Sequence, residues 1–130
     1  MQYLSLVNFI YFLNIYLENL KVRLVNGTSA KEGRVEVYYQ GDWGTICDDD
    51  WDYGDANVVC KMIGYPSAWR SSKEAEFGKG TGNITLGNVE CSGLEDNIGL
   101  CWNRGYYNTN CDHSKDAGVV CSEVEGMMIH

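Results

Sequence analysis

Residues 33–65 read GRVEVYYQGDWGTICDDDWDYGDANVVCKMIGY, and the succession of patterns inside them decides the fold. Val35, Val37 and Tyr39 alternate with Arg34, Glu36 and Tyr38, the period of two expected of a half-buried strand. Gln40-Gly41-Asp42 supplies turn residues, and WGTIC at 43–47 returns as a second strand. The period then changes. Ala56, Val59, Cys60 and Ile63 fall at i, i+3, i+4 and i+7, one face of a helix that Asp55 is placed to cap. Gly64 stops this helix, and Pro66 follows two residues later.

On the N-terminal side, Val22, Leu24 and Val25 form a further strand ending at Asn26-Gly27. On the C-terminal side, NITLGNVEC (83–91) is extended, with Gly87 interrupting the alternation where a bulge fits. AGVVC (117–121) is a last short strand, and glycine-rich loops fill the rest. One short helix against several short strands makes a small disulfide-rich α+β domain over residues 21–122. Residues 1–20 differ: they are aliphatic and aromatic, lack cysteine and glycine, and carry Glu18 as their one charge. They read either as a degenerate secretion or anchor signal or as a non-native leader, so membrane association is expected only through them or through a larger parent chain. Residues 123–130 are a patternless tail.

The chain has 130 residues, 45% of them hydrophobic and 22% charged, a balance that excludes a disordered tail and leaves room for one domain. Eighteen acids face ten bases, giving a formal charge of -8, which excludes a non-specific nucleic-acid binder. The six cysteines are Cys47, Cys60, Cys91, Cys101, Cys111 and Cys121. None forms a C-x-x-C pair and the histidines are only two, so structural zinc and thioredoxin-type chemistry are disfavoured against disulfides in an extracellular domain. Spacing alone leaves every pairing of the six open. Two glycosylation sequons, Asn26-Gly27-Thr28 and Asn83-Ile84-Thr85, suit the same compartment.

Residues 42–55 hold Asp42, Asp48, Asp49, Asp50, Asp52 and Asp55 with no Lys or Arg among them. Such a cluster reads either as a solvated acidic surface or as oxygen ligands for calcium or magnesium, although the spacing is not that of an EF-hand. Trp102, Tyr106 and Tyr107 lie between Cys101 and Cys111, and Trp51 and Tyr53 lie in the acidic loop. Each is either an exposed contact residue or core, whereas Tyr39 and Trp43 are assigned to the core. The basic residues Arg70, Lys73, Lys79 and Arg104 are scattered in sequence.

The stretch at 33–65, with FGKGTGNITLGNVECSG (77–93) and CDHSKDAGVVCS (111–122), resembles the scavenger receptor cysteine-rich domain of the six-cysteine group. Tyr65 stands where eight-cysteine members place a further Cys. The resemblance implies a curved antiparallel sheet cradling one helix, no enzymatic activity in the domain, and bridges Cys47–Cys111, Cys60–Cys121 and Cys91–Cys101. It implies a recognition module of a scavenger or pattern-recognition receptor or a secreted mosaic protein, with protein, polyanionic or microbial ligands. It also implies a cation site built from Asp48, Asp49 and an acid before Asp116-Ala117-Gly118, but here that position is Lys115. A second implied set uses an asparagine matched by Asn110 and an acid where this chain has Gly87, with Asn88 and Glu90 nearby. The expectation is no required cofactor and at most weak Ca2+ or Mg2+ binding. The expected ligand-contact residues are Asp50, Trp51, Asp52, Trp102, Arg104, Tyr106 and Tyr107. The competing readings are a structural spacer and a hydrolase using Asp49 and Glu95 as paired carboxylates.

Overall fold

The computed structural model describes residues 19–125. Strand β1 (Lys21–Val25) pairs antiparallel with β2 (Glu32–Tyr39), and β2 pairs antiparallel with β3 (Asp42–Ile46). Helix α1 (Tyr53–Ile63) follows, then β4 (Ser67–Ser72), β5 (Ile84–Leu86) and β6 (Gly118–Ser122). The sheet runs β4-β6-β2-β3-β5, with β1 also on β2. Two short 3-10 turns, Ile98–Leu100 and His113–Lys115, lie in the loops. Residues 1–18 and 126–130, which include nearly all of the apolar leader and most of the tail, lie outside the described residues.

The alternation in β2 works as the sequence suggests. Val35 and Val37 are fully buried and meet Ile46, Trp51, Ala56, Val58, Val59, Leu86, Val89, Ile98 and Val119 in one core. Glu36, on the outer face, is nonetheless buried. Arg23 and Arg34 reach over it at 2.7 and 3.1 Å, so its charge is paired rather than solvated. Trp43, assigned to the core by sequence, is half-buried on that outer face, with the Arg23 guanidinium 4.2 Å from its ring centre.

Three elements differ from the sequence reading. The sheet is antiparallel except at β5, which pairs parallel with β3; Gly44 permits this, since a Cβ there would lie 2.0 Å from Thr85 Oγ1. β4 falls where the sequence reading expects loop, since SAWRSS has no clean alternation; its register shifts between Ala68 and Arg70, leaving Trp69 exposed at the sheet edge. The helix begins at Tyr53, two residues before the expected cap. Asp52 is its N-cap, and Asp55 is the third helical residue, returning a bond to the Asp52 amide at 2.8 Å in a capping box. At the other end Gly64, at φ 114°, takes the left-handed turn that closes the helix.

The bridges are Cys47–Cys111, Cys60–Cys121 and Cys91–Cys101, spanning 64, 61 and 10 residues, as the family resemblance implied. In the chain-entropy picture the long loops contribute about 4 kcal/mol each and the short one about 3. The first fastens the end of β3, and the second fastens α1, to the C-terminal segment. Leu20, read by sequence as part of the leader, packs against the domain. Leu20 is buried, and Asn97 clasps its backbone, accepting from its N–H at 2.9 Å and donating to its carbonyl at 3.0 Å.

Candidate functional site

The acidic segment between β3 and α1 is tightly folded. Asp48 N–H donates to Lys115 O at 2.8 Å, and Trp51 N–H donates to Asp48 O at 3.0 Å. Asp50 sits at φ 65°, and this left-handed residue turns the chain so that the next side chain points inward. Trp51 is therefore core, 1% exposed, its indole N–H donating to Gly118 O at 2.9 Å. The expectation that Trp51 contacts ligand is corrected. A ring of that size filled the space between α1 and β6, and its one polar atom found a carbonyl there. Asp52, though exposed, commits one oxygen to the helix cap.

Asp48, Asp49 and Asp50 line one side of an open hollow of about 710 Å³, with Lys73, Glu74 and Lys115 across from them. Asp48 is buried and accepts from Glu74 N–H at 2.7 Å. Asp49 is half-buried, with Lys115 Nζ 2.5 Å from its Oδ1. That carboxylate raises the Lys115 ammonium above the usual lysine range, its hydrogen bond being the main cause. This donor set does not fit a divalent cation. One oxygen of Asp48 already accepts a backbone amide, Asp49 accepts the ammonium, and the third position supplies that ammonium in place of an acid, which lowers the charge count a divalent cation needs. The second implied set fits no better: a Cβ at Gly87 would lie 3.1 Å from the Thr109 side chain, so the loop leaves little room for an acid. Asn110 is exposed with no acid supplied opposite it from Gly87, and Asn88 is spent on Asp50. Two further groupings, Cys47 with Asp49 and Cys111 and Cys91 with Glu95 and Cys101, bring ligand-type atoms together, but their sulfurs are held in disulfides and are not thiolates.

The segment from Trp102 to Tyr107 is zipped along residues 85–90. Glu90 N–H donates to Trp102 O at 2.8 Å, Arg104 N–H to Gly87 O at 3.2 Å, and Tyr107 N–H to Thr85 O at 2.9 Å. The zipper separates the expected contact residues into two ends. At the Glu90 end Trp102 is 61% exposed beside the Cys91–Cys101 bridge, and Asn88 Nδ2 donates to Asp50 at 2.8 Å, joining this end to the acidic turn. Tyr53, exposed in the first turn of α1, adjoins the same end, because Gly54 packs on the Cys91–Gly93 backbone. At the Thr85 end Tyr106 is half-buried and stacked on Tyr39 at 4.0 Å, and Tyr107 leans on Tyr39 at 5.7 Å. Tyr106 is thus packed on Tyr39, and Tyr107 stands at the Thr85 end of the zipper, away from Trp102. Exposed Trp69 and Leu94 were missed by sequence; neither alternation nor a motif marks them.

Residues 25–122 match the model of the scavenger receptor cysteine-rich domain. The chain belongs to this family. Galectin-3-binding protein of Mesocricetus auratus is 50% identical over 105 residues, covering 81% of this chain and 18% of that protein. Macrophage scavenger receptor types I and II of Mus musculus is 50% identical over 101 residues, covering 78% of this chain and 22% of that protein. The chain thus spans about a fifth of these relatives. The third domain of this family in murine neurotrypsin superposes with a TM-score of 0.72 at 45% identity, covering 82% of this chain and 99% of that one. The domain of mouse MARCO in its dimeric form superposes at 0.67 and 50% identity, covering 78% and 94%. A scavenger receptor cysteine-rich domain with three disulfides is an extracellular, non-catalytic recognition module. The paired-carboxylate hydrolase finds no support in the geometry. Asp49 is paired with Lys115, while Glu95 closes its own turn on Ser92 and Gly93 and does not line the hollow that Asp49 lines.

Proposed function

We propose that this domain binds a protein ligand with a basic surface, through the face formed by Asp50, Asp52, Tyr53, Glu90, Trp102 and Arg104. The observation that carries the reading is Trp102, 61% exposed on a segment held by the Cys91–Cys101 bridge and by the zipper to residues 87–90. A large, rigid aromatic side chain loses little entropy on binding, which is why tryptophan recurs as an interface anchor. Around it stand carboxylates, with Arg104 as the one cation of the group. A polyanionic or anionic microbial ligand would meet those acids first. Of the ten basic residues, Arg23, Arg34, Arg70 and Lys115 are already in ion pairs, which supports a protein over a polyanion. Lys115 supplies the positive charge that a metal supplies in cation-binding relatives, so binding proceeds without calcium. A spacer role predicts no ligand at all. Screening the oxidised domain against arrays of extracellular proteins and sulfated polysaccharides, with and without calcium, tests the reading. A basic protein bound in both conditions, with affinity reduced at least about thirtyfold in Trp102→Ala, is the expected result. Binding confined to polyanions, or unchanged by Trp102→Ala, refutes it.

A further inference from the structure

The geometry points to Asn83 as the residue that carries an N-linked glycan, with the first sugar seated against Tyr107, and to Asn26 as unmodified. Both asparagines stand in sequons and both are exposed, so the sequence does not separate them. Their surroundings do. Asn26 Nδ2 donates to Phe77 O at 2.9 Å, and the Phe77–Gly78 turn closes over that nitrogen. The second half of that sequon is occupied too: Thr28 Oγ1 donates to Glu32 at 2.8 Å. A sugar on Asn26 would replace a hydrogen of this amide and displace the 77–78 turn. Asn83 is used only through its backbone, whose carbonyl accepts from Thr45 N–H at 3.0 Å, so its amide group is free to carry a substituent.

A hollow of about 430 Å³ lies beside Asn83, walled by Ile84, Tyr107, Thr109 and His113. Tyr107 is 43% exposed and sits at φ 62°, a left-handed conformation that a bulky residue seldom adopts without cause. Tyr39 braces its ring at 5.7 Å. An exposed aromatic face beside a glycosylated asparagine offers the apolar side of a sugar ring a stacking surface, with polar groups at the rim for its hydroxyls. In the transfer itself, Asn83 Nδ2 bonds to C1 of a lipid-linked oligosaccharide, the C1–O bond to the lipid pyrophosphate breaks, and Nδ2 gives up one proton. Thr85 is buried in the folded domain, so this step precedes the docking of β5 on β3. The folded contacts act afterwards: a chain glycosylated at Asn26 cannot close the 77–78 turn over Nδ2 and does not reach the native fold, whereas one glycosylated at Asn83 folds with its sugar in the open hollow. The glycan then covers the Thr85 end of the zipper and leaves the Trp102 end open.

The test is expression of the full chain through the secretory pathway of a mammalian cell, followed by intact mass and glycopeptide mapping. One glycan per chain is expected, present in Asn26→Gln and abolished in Asn83→Gln. No glycan, or occupancy of Asn26, overturns the assignment. The stacking is tested separately by the rate at which peptide N-glycosidase releases the glycan from the folded protein. Tyr107→Gly, which suits the left-handed backbone, is expected to speed release several-fold, with the far-UV spectrum and melting temperature showing that the variant is folded. An unchanged rate overturns the seating on Tyr107 while leaving the Asn83 assignment to the mass data.

Discussion

Asp55 is a carboxyl group fully buried at the start of α1, and it should make the domain's stability depend on pH in an unusual direction. It accepts from Asp52 N–H at 2.8 Å and from Cys91 N–H at 2.8 Å, so it joins the helix cap to the loop segment that carries the third disulfide. Burial disfavours its charge; the two amides favour it, and the neighbouring Asp52 opposes it again. Burial wins, and the group is raised from 3.8 to about 7. The native state therefore holds this proton more tightly than the unfolded chain. Its contribution is complete below about pH 4 and is lost as the pH rises through 7, the reverse of an ordinary salt-bridged aspartate. About three pH units at 1.36 kcal/mol each give a change of about 4 kcal/mol.

Asp55→Asn isolates that effect. Asparagine is neutral throughout, so this pH dependence should vanish, but its NH2 group faces one of the two backbone amides and leaves a buried donor unsatisfied, at a cost of about 1–3 kcal/mol. The variant should be less stable than the natural protein near pH 4 and should match or exceed it near pH 8. Urea unfolding with bridges intact, followed by the fluorescence of buried Trp51, measures both curves. Parallel curves from pH 4 to 8, or a natural protein that gains stability relative to the variant as pH rises, would refute the reasoning.

Three other outcomes follow from the same contacts. Calorimetry with calcium should show no tight binding by the natural chain and measurable binding by Lys115→Glu, which removes the ammonium and adds an acid; tight binding by the natural chain, abolished by Asp49→Ala, would overturn the assignment of Lys115. Trp51→Ala should cost about 3–5 kcal/mol, measured by urea unfolding, because it empties a core site and orphans the Gly118 carbonyl. Deleting residues 1–20 should lower the melting temperature more than deleting 1–18, since Leu20's burial, worth about 1.5–3 kcal/mol, is lost and Asn97 loses its two hydrogen bonds to the Leu20 backbone.

The strand β2 and the helix face were legible because each carries its own periodicity, and β1, β3 and β6 because short runs rich in β-branched and apolar residues are bounded by turns or cysteines. The helix start was not. Asp52 and Asp55 both satisfy the chemistry of a cap, and which one acts depends on the left-handed turn at Asp50 that positions Trp51. The parallel pairing of β5, itself read as extended, and the existence of β4 were illegible locally for different reasons. The parallel pairing of β5 exists because Gly44, some forty residues away, has no side chain, and β4 contains a register shift that erases alternation. The disulfides came from family resemblance, since spacing alone could not choose among the pairings.

The candidate site was legible in part, and the pattern of failures has a physical source. Residue type assigns an aromatic to an interface or a core with nearly equal force, because the same ring suits both. What separates Trp51 from Trp102 is whether the indole N–H has an internal acceptor: Gly118 O stands 2.9 Å from Trp51, while Trp102 lies outside on a disulfide-held segment. The charge at position 115 is different in kind. A lysine where relatives place an acid changes the sign of a local field, and the sign is visible in the sequence before any coordinate is known. The structure adds the 2.5 Å contact that makes Asp49 its partner. With that pair formed, Lys115 places a positive charge among the carboxylates of the acidic turn, and Asp50 accepts from Asn88 on the side of the Trp102 segment.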